Sequence, residues 1–221
     1  MRSRPFVVAI DGPAASGKGT LARRLAERFG FAHLDTGTLY RATALNVLDS
    51  GGDPADPGAA AIAARRLDLQ MLADPRLRGE KVAAAASMVA AYPAVRDALL
   101  AFQRGFAAHP PAAARGAILD GRDIGSVVCP KADLKLFLTA DVEARANRRV
   151  KELHARGAAA IYENVLQDLI ERDARDSERR DAPLSVPRDA IIIDTTTLDA
   201  DAVLERAGDI IARALKEMEW L

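Results

Sequence analysis

Gly12, Pro13, Ala14, Ala15, Ser16, Gly17, Lys18, Gly19 and Thr20 form a run whose residue types and spacing suit them to holding a polyanion. The glycines let the backbone curl so that successive N–H groups point inward and make an anion nest. A helix beginning after the loop would add its positive end. Lys18, directly after the second glycine of a Gly-x4-Gly-Lys spacing, places a mobile cation on the outer phosphates. In one respect the run departs from the usual pattern. A Ser or Thr ordinarily follows the lysine, whereas here Gly19 follows it and Thr20 comes next. The hydroxyl is thus one position further along. The chemistry open to such a loop is to hold the phosphates of a nucleoside triphosphate.

The elements around the run support that reading. Residues 6–10 are short, apolar and β-branched, bounded by Pro5 and by Asp11-Gly12-Pro13, as a fully buried parallel strand should be. Leu21, Leu25 and Phe29 then recur at helical spacing, with Gly30 as a stop. Further strands are expected at 31–34, 117–120, 134–138 and 190–193. Helices are expected at 20–29, 39–48, 81–91, 94–107, 141–156, 161–180 and 201–218, with Asp141 and Gly157 as caps. Strands alternating with helices predict an α/β fold with a five-stranded parallel sheet flanked by helices. The breaker cluster at 50–58 opens a stretch of helical composition that runs to about 114. The expected organisation is one domain over 1–221. Its core comprises 1–54, 113–149 and 181–221, with an insertion at 55–112 and a helical lid at 150–180.

Composition narrows the classes of partner. The 31 basic and 31 acidic side chains cancel, which argues against a nucleic acid held along a basic face. The single cysteine, Cys129, excludes an intrachain disulfide framework and a multi-cysteine zinc site. The three histidines lie far apart, without metal-binding spacing. His33 and Cys129 read as packing residues. No apolar run approaches the roughly 18 residues of a membrane span, so no membrane partner is expected and a cytoplasmic location is the default. Among the basic residues 25 are Arg and 6 are Lys. Guanidiniums hold phosphate oxygens bidentately, and phosphoryl transfer needs the developing charge neutralised away from water. No Asn-Lys-x-Asp guanine-reading string occurs. The arginine bias therefore favours a small kinase.

Several strings, in order along the chain, resemble the bacterial cytidylate kinases among the nucleoside monophosphate kinases with a phosphate-binding loop. They are the 12–20 loop, Leu34-Asp35-Thr36-Gly37-Thr38-Leu39-Tyr40-Arg41, the segment from Ala86-Ser87 to Arg96, Asp120-Gly121-Arg122-Asp123-Ile124-Gly125, the segment from Glu171 to Arg179, Ala182-Pro183-Leu184 and Asp194 to Leu198. The Asp-Gly-Arg-Asp and Arg-Asp-x-x-Arg strings are the ones specific to this branch. The resemblance implies transfer of the γ-phosphoryl of ATP to CMP or dCMP, with magnesium as cofactor and a monomeric enzyme. It implies an acceptor site in which Thr36 and Arg41 hold the nucleotide, and Ser87, Arg96 and Asp123 read cytosine. Arg122, Arg172 and Arg179 would grip phosphate or sugar and Asp176 the ribose. Residues 12–20 and Arg148, stacked on adenine, would hold ATP. Asp120, at a strand end, is expected to reach magnesium through water.

The residues themselves are compatible with these roles. A carboxylate accepting from the exocyclic N4 amine selects cytosine, because uracil presents a carbonyl there. Arg172, Arg175 and Arg179 fall on one face of the expected helix, with Asp176 spaced to orient the guanidiniums of Arg172 and Arg179. Without the resemblance the same stretch reads first as a solvated, salt-bridged helix, and Arg41 and Arg96 read as readily as surface arginines. Thr195 to Thr197 reads as a turn and helix entry. A kinase for UMP or AMP, or an ATP-binding regulator without turnover, also remains compatible with the loop. Family members often carry a longer insertion with a small antiparallel sheet. Here residues 67–82 are short and charged, which predicts a reduced, mostly helical insertion.

Overall fold

The computed structural model describes residues 4–218. Five parallel strands form one sheet in the order β2-β3-β1-β4-β5: β1 (Phe6–Asp11), β2 (Ala32–Asp35), β3 (Gly116–Gly121), β4 (Leu134–Thr139) and β5 (Ile191–Asp194). Strands β1 and β3 are buried along their whole length. Helices cover both faces of these central strands, whereas edge strand β5 leaves Ile191 and Ile192 exposed, and the apolar runs expected as strands are strands.

Helices α1 (Lys18–Phe29) and α8 (Ala200–Glu217) lie over one face. There Leu21, Leu25, Val203, Ile211 and Leu215 pack on Phe6, Val8, Ile10 and Ile118. Helix α5 (Pro93–Ala108) and a single π-helical turn at Ile124–Val128 cover the other, where Ala107 and Ile124 meet Val7, Ala9 and Leu119. Three helices, α2 (Thr36–Asp49), α3 (Pro57–Arg65) and α4 (Glu80–Val89), join α5 in a separate cluster built on Leu39, Val47, Ala60, Ala85, Val89 and Leu99. The many alanines are used here: small side chains let these helices approach closely. Two short 3₁₀ turns, Leu69–Ala73 and Pro75–Arg78, occupy the segment without strand pattern, and no strand forms between β2 and β3 among the described residues. Helices α6 (Val142–Ala155) and α7 (Tyr162–Glu178) pack on each other and on Ala14 of the loop.

Helix boundaries differ from expectation by a few residues throughout, α3 was not expected as a separate helix, and three of the shifts touch the site. Helix α1 begins at Lys18 rather than 20, because Gly17 takes the left-handed conformation (φ 89°) and serves as its N-cap. Helix α2 begins at Thr36, directly after β2, rather than at 39. Helix α7 stops at Glu178, leaving Arg179 with extended backbone. Arg179 is therefore not on the helix face it was expected to share with Arg172 and Arg175. Asp141 occupies the N-cap position of α6 without a side-chain cap bond, and Gly157 (φ 76°) follows its C-cap, Arg156. No single helix among the described residues is long and apolar enough to cross a membrane.

Candidate active site

Ligands of open α/β sheets bind at the carboxyl ends of the strands. Here the loops after β1 and β3 and the start of α2 meet at that edge. Gly12 (φ 151°) lies so close to β4 that a Cβ there would be 2.2 Å from the Leu138 carbonyl oxygen, so the loop must begin with glycine. Asp11, just before it, accepts from the backbone N–H of Ile124 and Gly125 at 2.8 and 2.7 Å, tying the loop after β3 to the phosphate loop. Burial nevertheless pushes the Asp11 carboxyl up to about 6.

Two cavities open at this edge. One, of about 310 Å³, is lined by Ala14, Ala15, Gly17, Lys18, Gly19 and Thr20 of the loop. Thr36, Arg41, Ser87, Arg96, Asp120, Arg122, Asp123, Arg172, Asp176 and Arg179 are among its other lining residues. The other, of about 420 Å³, shares the loop and is walled by Ser16, Arg148, Thr195, Leu198 and Val203. Gly12 and Pro13 shape the loop without lining either. Residues spread over more than 160 positions of sequence thus face one space.

Lys18 is buried, and its ammonium donates to the Pro13 carbonyl at 3.1 Å. Burial, reinforced by the charge of Arg122, lowers its pKa to about 7, while Asp120 and Asp35 hold it up. Burial likewise lowers Arg172 to about 10, with Arg122 repelling it, and lowers Arg41 and Arg179. Arg172 Nε and one terminal nitrogen of Arg179 are buried without a hydrogen-bond partner. A buried donor without a hydrogen bond is costly, and both arginines line the smaller cavity.

Asp123 is buried and pairs with Arg96, while Arg179 approaches its other oxygen at 3.9 Å. Arg96 also lies over the Tyr40 ring, 5.9 Å from its centroid, a support the sequence did not signal. Asp176 does not orient Arg172 and Arg179 by direct bonds, as the helical spacing suggested. Its Oδ2 instead accepts from Arg122 Nε at 2.8 Å, across from β3. Burial alone would raise Asp176, but Arg122 and Arg172 hold it below the usual carboxylate range. Arg175 turns away to Ser87, with Nε 3.3 Å from the hydroxyl. Thr36 donates its hydroxyl to the Asp120 carbonyl at 2.8 Å, and Arg41 donates to the Leu77 carbonyl at 2.9 Å.

Two further expectations change. His33 is not a packing residue: its Nε2 lies 2.7 Å from Asp120 Oδ1. Arg148 is fixed edge-on by Thr195, with 2.9 Å to the hydroxyl and a second bond to the carbonyl. These bonds are made at the edge of the guanidinium and place it in the wall of the larger cavity. Thr195 is buried and bonded to the carbonyls of Ser16 and Thr139, more than a turn residue needs. Arg145, which no motif marks, bonds the carbonyls of Ala14 and Ala140 and pairs with Asp173 at 2.6 Å, fastening α7 to the loop. Cys129 stays a partly buried thiol, raised to about 11 by burial. No group of three His, Cys, Asp or Glu among the described residues forms a metal cage.

The family model described as Cytidylate kinase matches residues 8–213. A cytidylate kinase of Rhodospirillum rubrum is 54% identical over 207 residues, covering 94% of this chain and 97% of its own. One of Paramagnetospirillum magneticum is 56% identical over 205 residues, covering 93% and 97%. Among solved structures, a gluconokinase of Sinorhizobium meliloti shares the fold (TM-score 0.53, 14% identity, 99% of this chain and 98% of that one). A loop built for phosphates, a cleft of buried arginines and a match running almost end to end lead to one conclusion: the chain belongs to the cytidylate kinase family.

Proposed function

We propose that this protein transfers the γ-phosphoryl group of ATP to CMP or dCMP. The observation that carries the reading is the pair of buried donors without a hydrogen bond, on Arg172 and Arg179, at a cavity that Lys18 and Asp123 also line. ATP would lie with its base in the larger cavity, beside Arg148, and its phosphates along residues 12–20. CMP would lie in the smaller one. The core, the helical insertion 55–112 and the lid 150–180 are then the three working parts. A phosphate monoester is already nucleophilic at neutral pH, so no general base is required. Catalysis reduces to alignment and to charge neutralisation by Lys18, Arg122, Arg172 and Arg179. Thr36 and Arg41 would hold the acceptor phosphate, and Asp176 the ribose. Asp123, with Arg96 and Ser87, would face the cytosine edge.

Magnesium suits the donors present. It takes hard oxygen ligands and usually binds through one or two carboxylates plus substrate phosphates rather than in an all-protein cage. Asp120 sits at the strand end beside the loop, and Ser16 Oγ is buried without a partner. Asp120 would hold the ion through water, and the ion would neutralise charge on the β- and γ-phosphates.

The deciding experiment is an acceptor panel with ATP. CMP and dCMP are expected to drive ADP formation, and UMP at least about tenfold less efficiently. Preference for UMP or AMP, or no turnover with any acceptor, would overturn the reading. A second expectation follows from Lys18. Phosphate oxygens favour its charged form, so magnesium-free ATP binding at pH 8 should take up protons, and at pH 6 the lysine's share should vanish. Calorimetry in buffers of different ionisation enthalpy measures the uptake. The same uptake in Lys18→Met would refute the assignment.

A further inference from the structure

Arg149 has no part in the scheme above, yet it stands where the two cavities meet. Arg149 and Glu152 line both of them. The guanidinium is largely covered, with the side chain 16% exposed, and two carboxylates hold it. Glu152, one turn along α6, is 2.7 Å away and also pairs with Arg156. The second carboxylate, Glu80, comes from elsewhere in the fold. It is the first residue of α4, the helix that carries Ser87.

Glu80 also acts on a second arginine. Its charge and that of Asp35 counter the burial of Arg41, whereas Arg149 repels Arg41. Arg149 repels Arg172 as well. A carboxylate thus sits among guanidiniums, one of which, Arg149, lines both cavities. That is the arrangement a phosphate oxygen makes with arginines. Glu80 remains 56% exposed, so it can swing away at small cost.

We propose that Glu80 is a built-in counter-ion and a positioning residue: with the cleft empty it holds Arg149 at the junction of the two cavities, and incoming nucleotide phosphate displaces it. The inference rests on reading this cleft as a phosphate site, but not on which nucleotide accepts the phosphoryl group. Its consequence is competition. Phosphate must displace Glu80 from Arg149, so the carboxylate weakens phosphate binding while keeping the arginine in place. An acid in the first turn also stabilises its own helix. That role is local to α4 and independent of Arg149, so the two can be separated.

The test is titration calorimetry with inorganic tripolyphosphate, which carries neither base nor sugar, on the wild type, Glu80→Gln, Arg149→Ala and the double variant. Glu80→Gln should bind tripolyphosphate about threefold more tightly, as fits a partly exposed ion pair. The gain should shrink as salt is raised. Arg149→Ala should weaken binding, and on that background Glu80→Gln should change nothing. The proposal is overturned if Glu80→Gln leaves tripolyphosphate affinity unchanged or weakens it, even with a shifted melting temperature. An equal gain on both backgrounds also overturns it, since that would be a general field effect. Failure of the acceptor panel would leave this result intact, whereas a wild type that does not bind tripolyphosphate would sink both.

Discussion

Lys18→Ala is expected to lower kcat by about 10³-fold while leaving the Kd for CMP within a few-fold of wild type. That loss corresponds to about 4 kcal/mol of transition-state stabilisation. The asymmetry follows from the site. Lys18 opens α1 at the phosphate loop, whereas the residues proposed for the base, Ser87, Arg96 and Asp123, lie on α4, α5 and the turn after β3. The charge in motion during transfer is on the phosphoryl group, so its cation matters more in the transition state than in the ground state. Stability should move the other way. With its folded pKa lowered from 10.5 to about 7, Lys18 destabilises the empty fold fully below about pH 7, and the penalty fades as pH rises toward 10.5. Lys18→Ala should therefore raise the melting temperature of the ligand-free protein at pH 6. Equal losses in kcat and in CMP affinity, with a lowered melting temperature, would show that the lysine is structural.

Asp123→Asn is expected to reduce the ratio of kcat/KM for CMP over UMP by about 10²-fold, since one well-placed hydrogen-bonding pair is worth about 1–3 kcal/mol of discrimination. A carboxylate can only accept, which suits the cytosine amine and opposes the uracil carbonyl. An amide can donate to uracil instead. The structure adds a cost that the motif alone does not reveal. Asp123 is buried against Arg96, with Arg179 close by, so removing its charge leaves two covered guanidiniums poorly compensated. A loss of about 1–3 kcal/mol of stability is expected, because asparagine keeps one acceptor for Arg96. Kinetics and thermal melts on the same preparation separate the two effects. An unchanged CMP-to-UMP ratio in a folded variant would remove Asp123 as the discriminator.

The order of the strands and of the helices other than α3, whose stretch read only as helical in composition, was legible because the strands are apolar runs short enough to cross a sheet and the helices carry apolar faces at helical spacing. Residues 6–10, Leu21, Leu25 and Phe29 illustrate both. Boundaries were less so. The early start of α2 at Thr36 follows from its packing against β3, where the Thr36 hydroxyl reaches the Asp120 carbonyl, and no local signal encodes that bond. The phosphate loop was legible residue by residue, since its chemistry is contiguous: glycines, lysine and helix start lie within one turn of chain.

The arginines show where sequence stops and tertiary structure takes over. The chain alone determined that guanidiniums outnumber lysines and which strings carry them, and so the class of ligand. Partnership it could not determine. Asp176 has Arg172 four residues before it and Arg179 three after, yet it binds Arg122, fifty-four positions away. Asp123 takes Arg96 rather than its neighbour Arg122. His33 finds Asp120 across adjacent strands, and Glu80 finds Arg149 from another helix. Helical spacing says which side chains can meet along one helix. In a buried cleft, however, each charge takes whichever opposite charge the packing of strands and helices brings near, because leaving it unpaired there costs more than any local preference.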